Sequence, residues 1–436
     1  MLKNSFFSIL FWASLCPLYA KTLKYRHIPS RFESAHSIAL DAQIENGILL
    51  SNSGQEIYYK EEIVAQLFYL VGMLNARQGV AELAHLKLKI SSVEPPGQTG
   101  YSRVHYSVSF VIGWNRASKI PAQMTLPFPL QSDEDGIRGF FKNHKKSCST
   151  SASEPDLTPT SFYYYFRPEK SKCRLLGGKA KDAVLLNLKL SVSPSNTENK
   201  SPEYAKVWED GKLVATLIVG TDVPDATENS DVGVTAYNKL VKQAQDVFGK
   251  PDWIVPNLLE NELPGMAHPD VEMEFTNADG KKINLNFLLI DKHLLQNGSP
   301  IFEKRYNERT RISDFVSYNG HSGFGENIRA LAKMGHFEKG QYQLYYVNGC
   351  DTFAYVDDAL ALAHQKANPG SGLYEYFDII TNAMPSSFTQ FGNSNFAILS
   401  SLASAKNTYR EILSKFQVNQ KAIVMGEEDN RWPDPF

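Results

Sequence analysis

The sequence predicts two folded domains, a β-rich α+β domain followed by an α/β domain with a mostly parallel sheet flanked by helices. Its 436 residues exceed what one ordinary hydrophobic core organises. Before about residue 195, short patterns that alternate apolar and polar residues indicate strands with one solvated face. After about residue 205, continuous apolar strands alternate with amphipathic helices, which is the pattern of a parallel sheet covered on both faces.

The first twenty residues have the features of a secretory signal peptide. Lys3 supplies the positive start, FFSILFWASL is the apolar stretch, and PLYA offers a small residue before a cut after Ala20. An uncleaved membrane anchor is the alternative, although the apolar run is short for a full span. No later segment is long and apolar enough to cross a bilayer, so we expect a soluble, exported protein that is periplasmic, extracellular or on the cell surface.

Charge and cysteine content narrow the possible functions. Lys plus Arg number 45 and Asp plus Glu 47, so the charge is nearly balanced. The chain therefore lacks the excess of basic residues that is typical of a nucleic-acid binder. Of the four cysteines, Cys16 falls within the signal peptide. Cys148 and Cys173 flank a polar loop and are expected to form a disulfide in an oxidising compartment. Cys350 then has no partner, so it is either a buried apolar filler or a reactive thiol.

The first domain is assigned to residues 21–195. EEIVAQLFYLVGML has the spacing of a helix, and LKLKI and YSVSFVIGW alternate as strands. FYYYF at residues 162–166 is predicted to be a further strand. The polar stretch at residues 191–204 marks the domain boundary, either as a linker or as a long hairpin loop.

The second domain is assigned to residues 205–436, and its elements follow one another in a regular order. Glycine, asparagine or proline separates most of them, and Asp279-Gly280 is the tight turn of a hairpin. The predicted order is strand KLVATLIVG, helix TAYNKLVKQAQDVF, hairpin VEMEFTNADGKKINLNFLLI, strand ISDFVSYNG, helix ENIRALAKM, strand QYQLYYVNG, helix DDALALAHQKA, strand YFDIITNA and helix NTYREILSKF.

Two of these strands end in Asn-Gly, and each is followed by a side chain that can take part in catalysis. His321 follows FVSYNG and Cys350 follows LYYVNG. The intervening chain suits one helical crossover between neighbouring parallel strands, which lie about 4.8 Å apart. Ligands of such sheets bind just beyond the carboxyl ends of the strands. We therefore expect the imidazole and the thiol to lie side by side.

A thiol beside an imidazole is the machinery of nucleophilic acyl transfer. The imidazole assists formation of a thiolate, which attacks a carbonyl carbon, and the imidazole then protonates the leaving amine. Glycines at positions 320, 323 and 325 would let the backbone approach a substrate and present N–H groups to a developing oxyanion. This chemistry needs no cofactor and no metal.

The segments FVSYNGHSG and LYYVNGC resemble the motifs of the caspase, gingipain and legumain group of cysteine peptidases. The resemblance covers residues 205–400 by element order and 310–356 by motif. It implies that His321 is the general acid/base, that Cys350 is the nucleophile, and that main-chain N–H groups near Ser322 or Gly323 and at Cys350 bind the oxyanion. The group usually has glycine where this chain has Ser322.

Two aspartates complete the predicted site. Some members of the group orient the histidine with an acid from an earlier strand, and Asp291 at the end of FLLID is the candidate, with an ordinary strand-end aspartate as the alternative. Asp351 either shapes the substrate pocket or caps the next helix. His336 and His364 are expected to be solvated residues of helices or helix ends.

Competing motifs do not fit. GHSGFG lacks the final glycine of a G-x-S-x-G elbow, GFGENI lacks the third glycine of a dinucleotide loop, and no zinc-ligand spacing occurs. The predicted function is that of an exported cysteine endopeptidase acting on a protein or peptide substrate. The alternatives are a catalytically inactive protein of the same fold that binds a protein or surface ligand, and a secreted binding or surface protein unrelated to peptidases.

Overall fold

A computed structural model describes residues 32–96, 100–150, 157–259, 262–292, 295 and 298–426. The expected signal peptide, residues 1–20, lies outside the described residues. The described chain divides into two compact units. The first unit contains residues 39–193, and the second contains residues 32–38 together with residues 194–426.

The secondary structure of the described residues contains both strands and helices in each unit. In chain order the strands are β1 (Phe32–Glu33), β2 (Ser37–Ser51), β3 (Val80–Ala81), β4 (Lys87–Glu94), β5 (Ser102–Asn115), β6 (Gln123–Pro129), β7 (Ala183–Val192), β8 (Lys212–Gly220), β9 (Trp253–Val255), β10 (Asp270–Thr276), β11 (Lys282–Ile290), β12 (Phe315–Asn319), β13 (Gln343–Asn348), β14 (Phe377–Asn382) and β15 (Ala422–Met425). The helices are α1 (Glu56–Leu67), α2 (Tyr69–Asn75), α3 (Glu134–Cys148), α4 (Phe162–Tyr165), α5 (Tyr204–Val207), α6 (Val232–Phe248), α7 (Pro300–Thr310), α8 (Glu326–Lys333), α9 (Thr352–Tyr355), α10 (Ala359–Ala367), α11 (Phe391–Ser404) and α12 (Tyr409–Ser414).

The first unit is built on a six-stranded sheet. Its strands lie in the order β3-β5-β2-β7-β6, and β4 pairs with β5. The register of β2 with β7, β6 with β7 and β4 with β5 is antiparallel, as the alternating patterns of the sequence require. The predicted disulfide joins Cys148 at the end of α3 to Cys173.

The prediction of a strand at residues 162–166 is wrong, because FYYYF forms the short helix α4 and the residue that follows it. Helical spacing places Phe162 and Phe166 together, with ring centroids 5.5 Å apart. Both rings pack against Tyr69 of α2 and Phe140 of α3. The free energy of burying this aromatic cluster outweighs the β-propensity of the individual residues.

The second unit is an α/β structure with one nine-stranded mixed sheet. The strand order is β1-β15-β14-β13-β12-β8-β11-β10-β9. The five central strands, from β14 to β11, are parallel, which confirms the prediction of a parallel sheet flanked by helices for this part. The outer strands are antiparallel to their neighbours. β1 comes from the region that the sequence assigns to the first domain, yet it pairs with β15 in this sheet.

Alternate residues of the central strands face different layers of helices. In β13, Leu344 and Tyr346 belong to the core that also contains residues of α6, α11 and α12. Tyr345 points the other way and meets Tyr306 of α7 and His364 of α10. The central strands are therefore buried on both faces, which is why their sequences are continuous apolar runs.

Candidate active site at the carboxyl edge of the sheet

The candidate site lies where the five parallel strands of the second unit end side by side. β8 lies between β11 and β12, although the chain passes through β11 before β12. The chain therefore crosses over β8, and such a switch point opens the crevice in which ligands of open α/β sheets bind. Asp222 follows β8 and His321 follows β12, so these two residues flank the switch point.

Three neighbouring parallel strands each end in a buried asparagine, and we call these three residues the asparagine ladder. They are Asn319 of β12, Asn348 of β13 and Asn382 of β14. Asn348 Nδ2 donates to Asn319 Oδ1 over 3.0 Å, and Asn382 Nδ2 donates to Asn348 Oδ1 over 2.8 Å. A shift of one strand by one residue would leave buried amides without these partners, so the ladder fixes the register of the strand ends.

His321 is held firmly through its main chain. Its carbonyl oxygen accepts hydrogen bonds from Tyr318 Oη at 2.9 Å and from Asn327 Nδ2 at 2.8 Å, and both donor residues are buried. The imidazole itself lies at the surface, with 44% of the side chain exposed. The ring of Phe388 meets it edge-on, with centroids 5.8 Å apart.

The contacts of the imidazole define which ring nitrogen carries the proton. His321 Nε2 lies 3.1 Å from the main-chain oxygen of Asp222 and 3.2 Å from Asp222 Oδ1. A carbonyl oxygen can only accept, so Nε2 is the protonated nitrogen. In the neutral ring Nδ1 then holds the lone pair, and it is the nitrogen that can accept a proton.

Cys350 occupies a tight turn between β13 and α9. Asp351, the next residue, has a left-handed backbone with φ of 51°, which is uncommon outside glycine. The Cys350 thiol is partly exposed and donates to the main-chain oxygen of Ser386 over 3.4 Å. The Ser386 hydroxyl in turn donates to Asn348 Oδ1 over 2.6 Å, which links the thiol contact to the asparagine ladder.

The turns that follow β12 and β13 touch through their backbones. Gly320 N–H donates to the main-chain oxygen of Asn348 over 3.1 Å. A Cβ atom on Gly349 would lie 2.9 Å from the Gly320 oxygen and 3.1 Å from the Ser322 nitrogen. Only glycine permits this approach, and the Ser322 main chain consequently lies beside the turn that carries Cys350.

The chain after His321 has an unusual run of left-handed residues. Ser322 is right-handed, and Gly323, Phe324 and Gly325 have φ of 54°, 53° and 82°. The contact of the Phe324 ring with Tyr355, at 5.6 Å between centroids, helps to hold this conformation. A right-handed residue followed by a left-handed one turns successive N–H groups to one side, a geometry suited to an anionic oxygen.

Residues 382–388 run from one turn to the other. Asn382 N–H donates to Thr352 Oγ1 over 2.8 Å, and Asp351 N–H donates to the Met384 oxygen over 3.3 Å. The Ser386 contact with the thiol and the Phe388 contact with the imidazole complete the connection. The Asp351 side chain is fully buried, and it makes no side-chain capping hydrogen bond to α9.

The carboxylate that meets His321 is Asp222, which the sequence did not single out. The predicted candidate, Asp291, follows β11 on the far side of β8, and Thr221 Oγ1 lies 3.5 Å from its Oδ2. Asp222 follows a continuous apolar strand by two residues, and this is its sequence signal. A local pattern does not place β8 next to β12, because that pairing is a property of the strand order.

The loop that carries Asp222 is fixed by a helix cap. Asp231, the N-cap residue of α6, accepts hydrogen bonds from the N–H groups of Asp222, Val223, Gly233 and Val234. Burial opposes ionisation of Asp231, yet these four donors together hold the pKa of its carboxyl below the ordinary value. The ionised Asp231 carboxylate thus fixes the main chain of Asp222 next to His321.

Of the two histidines predicted to be solvated, His336 is exposed and His364 is not. The side chain of His336 is 59% exposed and pairs with Glu338. His364 is buried between Phe337 and Phe377, and burial lowers its pKa to about 3. The prediction for His364 is wrong because α10 packs that face against the sheet.

The described residues contain no cluster of three or more His, Cys, Asp or Glu side chains arranged to hold a metal ion. Within the same ranges, no helix combines the length and the apolar character that a bilayer span requires.

Comparison of the chain with protein-family models, with curated proteins and with solved structures finds no match.

Proposed function

We propose that this protein is a cysteine peptidase of the caspase, gingipain and legumain type, which hydrolyses peptide bonds through a thioester on Cys350. The observation that carries the proposal is the pairing of β12 with β13 as parallel neighbours, with Asn319 opposite Asn348. His321 and Cys350 each follow the paired asparagine by two residues. Equivalent positions on adjacent strand ends are where a nucleophile and its base can act on one substrate.

The proposed reaction begins with transfer of the Cys350 thiol proton to His321 Nδ1. The thiolate attacks the scissile carbonyl carbon, and the carbonyl oxygen becomes an oxyanion next to the main-chain N–H groups of Ser322 and Gly323. The C–N bond then breaks, and the imidazolium gives its proton to the leaving amine. Water, deprotonated by Nδ1, attacks the thioester and releases the acid and the free thiol.

Asp222 supports this reaction by fixing the imidazole. Because Nε2–H donates to Asp222, Nδ1 keeps its lone pair and the ring keeps one orientation. The Asp222 carboxylate also stabilises the positive charge that the ring carries between the two proton transfers. In this proposal Asp222 takes the role for which the sequence suggested Asp291.

In the resting structure the Cys350 thiol donates to the Ser386 carbonyl. Catalytic hydrogen bonds are often long or absent until substrate binds, so this contact is compatible with the proposal. Substrate entering beside Phe388 would compete with the Ser386 carbonyl for the thiol. The proposed first event after binding is therefore rotation of the Cys350 side chain toward His321.

Labelling by a panel of peptidyl acyloxymethyl ketones, followed by mass spectrometry of the adduct, tests the proposal. These electrophiles report on a peptide site and a nucleophilic thiol at once. We expect an adduct at Cys350 that is lost in Cys350→Ala and strongly slowed in His321→Gln. His336→Gln, which changes an exposed histidine outside the site, is the matched control and should label like the wild type. Absence of any adduct across the panel would contradict the proposal and favour a non-catalytic binding protein.

We further propose that the protein acts outside the cytoplasm. The signal-like character of residues 1–20 and the Cys148–Cys173 disulfide support this proposal. Amino-terminal sequencing of protein recovered from the exported fraction of expressing cells is expected to begin at Lys21. Recovery of full-length protein with reduced Cys148 in the cytoplasm would contradict it.

A further inference from the structure

The peptide group of Asp222 is held from both sides. On one side, the N–H groups of Asp222 and Val223 each donate to the Asp231 carboxylate over 3.1 Å. On the other side, the Asp222 carbonyl oxygen accepts from His321 Nε2 and also from the Lys292 ammonium. A carbonyl oxygen has two lone pairs, so the imidazole and the ammonium account for both.

Lys292 is itself fixed at the end of β11. Its N–H donates to Thr221 Oγ1 over 3.3 Å, and that hydroxyl donates to the Val223 oxygen over 2.9 Å. Thr221 N–H donates to the Ile290 oxygen over 2.9 Å, which continues the ladder between β8 and β11. The main chain of Lys292 is therefore held in register with the end of β8, next to Asp222, which its ammonium contacts.

Four adjacent strand ends thus carry the four polar groups of the proposed site. In spatial order they are Lys292 after β11, Asp222 after β8, His321 after β12 and Cys350 after β13. The first three are joined by hydrogen bonds through one carbonyl oxygen. An ammonium donor makes a hydrogen bond roughly twice as strong as a neutral donor does, so it restricts the orientation of this carbonyl more tightly.

We propose that Lys292 is a positioning residue of the active site, which orients the Asp222 carbonyl and thereby holds His321 in the tautomer protonated at Nε2. This inference rests on the proposed function, because it assigns Nδ1 to proton transfer. Lys292 acts through Asp222, whose carbonyl oxygen accepts from both the ammonium and the imidazole. Its loss should slow the chemical step and leave substrate binding unchanged.

Two independent readouts test this inference on the full chain. The first is the tautomer of His321, read from two-dimensional ¹⁵N–¹H spectra of protein labelled at histidine and assigned with His321→Gln. The second is the pair of constants kcat and KM for a peptide substrate that has the same peptide sequence as the most reactive ketone of the labelling panel. For Lys292→Met we expect loss of the uniform Nε2–H signal, a fall in kcat of about 10-fold to 100-fold, and an unchanged KM. Lys292→Arg should restore both readouts in large part.

The controls separate positioning from general damage. Lys304→Met removes a lysine that is 77% exposed on α7 and should match the wild type in both readouts. If Lys292→Met fails to fold, Lys292→Gln keeps a shorter neutral donor and is measured in its place. A wild-type tautomer signal in the folded variant overturns the inference, whatever happens to kcat. If the wild type itself lacks peptidase activity, the proposed function fails, and the tautomer measurement still decides the role of Lys292.

Discussion

The two edges of the parallel strands use buried polar side chains in different ways. At the amino edge these side chains bond the main chain and one another within the core, where Tyr342 and Tyr409 both donate to Asp378 Oδ2. Val214 N–H donates to Asp314 Oδ2 over 2.8 Å, and Gln343 Nε2 donates to the oxygens of Thr310 and Ser313 over 2.6 Å each. These bonds satisfy main-chain groups at the ends of helices and strands, so the polar side chains at this edge stabilise the fold.

At the carboxyl edge the polar side chains bond one another and lead to the surface. Asn319, Asn348 and Asn382 bond in a row, and Ser386 links the middle member, Asn348, to the Cys350 thiol. This branch ends on a partly exposed group whose bonds a ligand can replace. Polar residues at a strand end are therefore a weaker sign of function than a hydrogen-bonded path from such residues to an exposed reactive group.

The largest effects are expected at the carboxyl edge. Cys350→Ala or His321→Gln should reduce peptidase activity by about 10³-fold or more, because each removes half of a unit that transfers one proton. The double variant should be no worse than either single variant, and hydrolysis of fluorogenic peptides checks both points. Activity losses that multiply in the double variant would show that the two residues do not act together.

The contact between the turns after β12 and β13 should be the next most sensitive feature. Gly349→Ala places a methyl group 2.9 Å from a main-chain oxygen that cannot move aside easily. We expect a loss of about 1 to 3 kcal/mol in the free energy of unfolding and a slower reaction of Cys350 with iodoacetamide. Urea denaturation and alkylation kinetics measure the two effects.

Gly372→Ala is the matched control for that substitution. A methyl group there would lie no closer than 3.8 Å to its nearest neighbour, Glu375. Its stability and alkylation rate should equal those of the wild type. Equal behaviour of the two alanine variants would mean that the turns do not need their close approach.

The amino edge should respond to pH. Burial raises the pKa of Asp314 from 3.8 to about 8, so the folded protein keeps this carboxyl protonated when the unfolded chain has lost the proton. The resulting stability is present below pH 4 and is lost as pH rises toward about 8, by on the order of a few kcal/mol. Asp314→Asn should match the wild type at pH 4 and exceed it in free energy of unfolding at pH 9.

That comparison is made as a difference between variants, because other groups titrate in the same window. Burial also raises the pKa of Glu33 and of Glu62 to about 7. Their contribution is the same in the wild type and in Asp314→Asn and cancels. Two parallel curves of stability against pH would contradict the buried, protonated state of Asp314.

A smaller effect of opposite sign is expected on the face of the sheet covered by α10. His364 is buried with its pKa lowered to about 3, so the unfolded chain takes up a proton near pH 6.5 while the folded protein does not. Stability is therefore lost as pH falls from 6.5 toward 3. His364→Phe, in contact with Phe377, should remove this loss. Thermal unfolding between pH 4 and pH 7 measures it, and an unchanged acid dependence would contradict the assignment.

Local sequence patterns predicted the elements of the second unit better than their arrangement. The apolar run KLVATLIVG and the Asn-Gly ends of β12 and β13 act over a few residues, so they are visible in the sequence. The place of β8 between β11 and β12 depends on packing of the whole sheet. For that reason the sequence predicts Asp291, whereas Asp222 is the residue that meets His321.

In the first unit, too, local sequence patterns do not predict structure that depends on contacts between distant residues. The pairing of Cys148 with Cys173 is predictable, since few alternatives exist in a chain with so few cysteines. The segment FYYYF was predicted as a strand from its composition, and the aromatic cluster around Tyr69 makes it helical. Composition indicates the secondary structure that a segment prefers in isolation, whereas long-range contacts decide which secondary structure it adopts in the folded protein.

In the proposed mechanism the His321 imidazole and the Cys350 thiol act on one substrate carbonyl. The most direct test is a crystal structure of the protein inactivated by a peptidyl acyloxymethyl ketone. We expect a covalent bond from the inhibitor to Cys350 Sγ, with His321 Nδ1 within about 3.2 Å of the sulfur or one water molecule away. A thiol sealed in the core, or an imidazole more than about 10 Å from the sulfur, would contradict it.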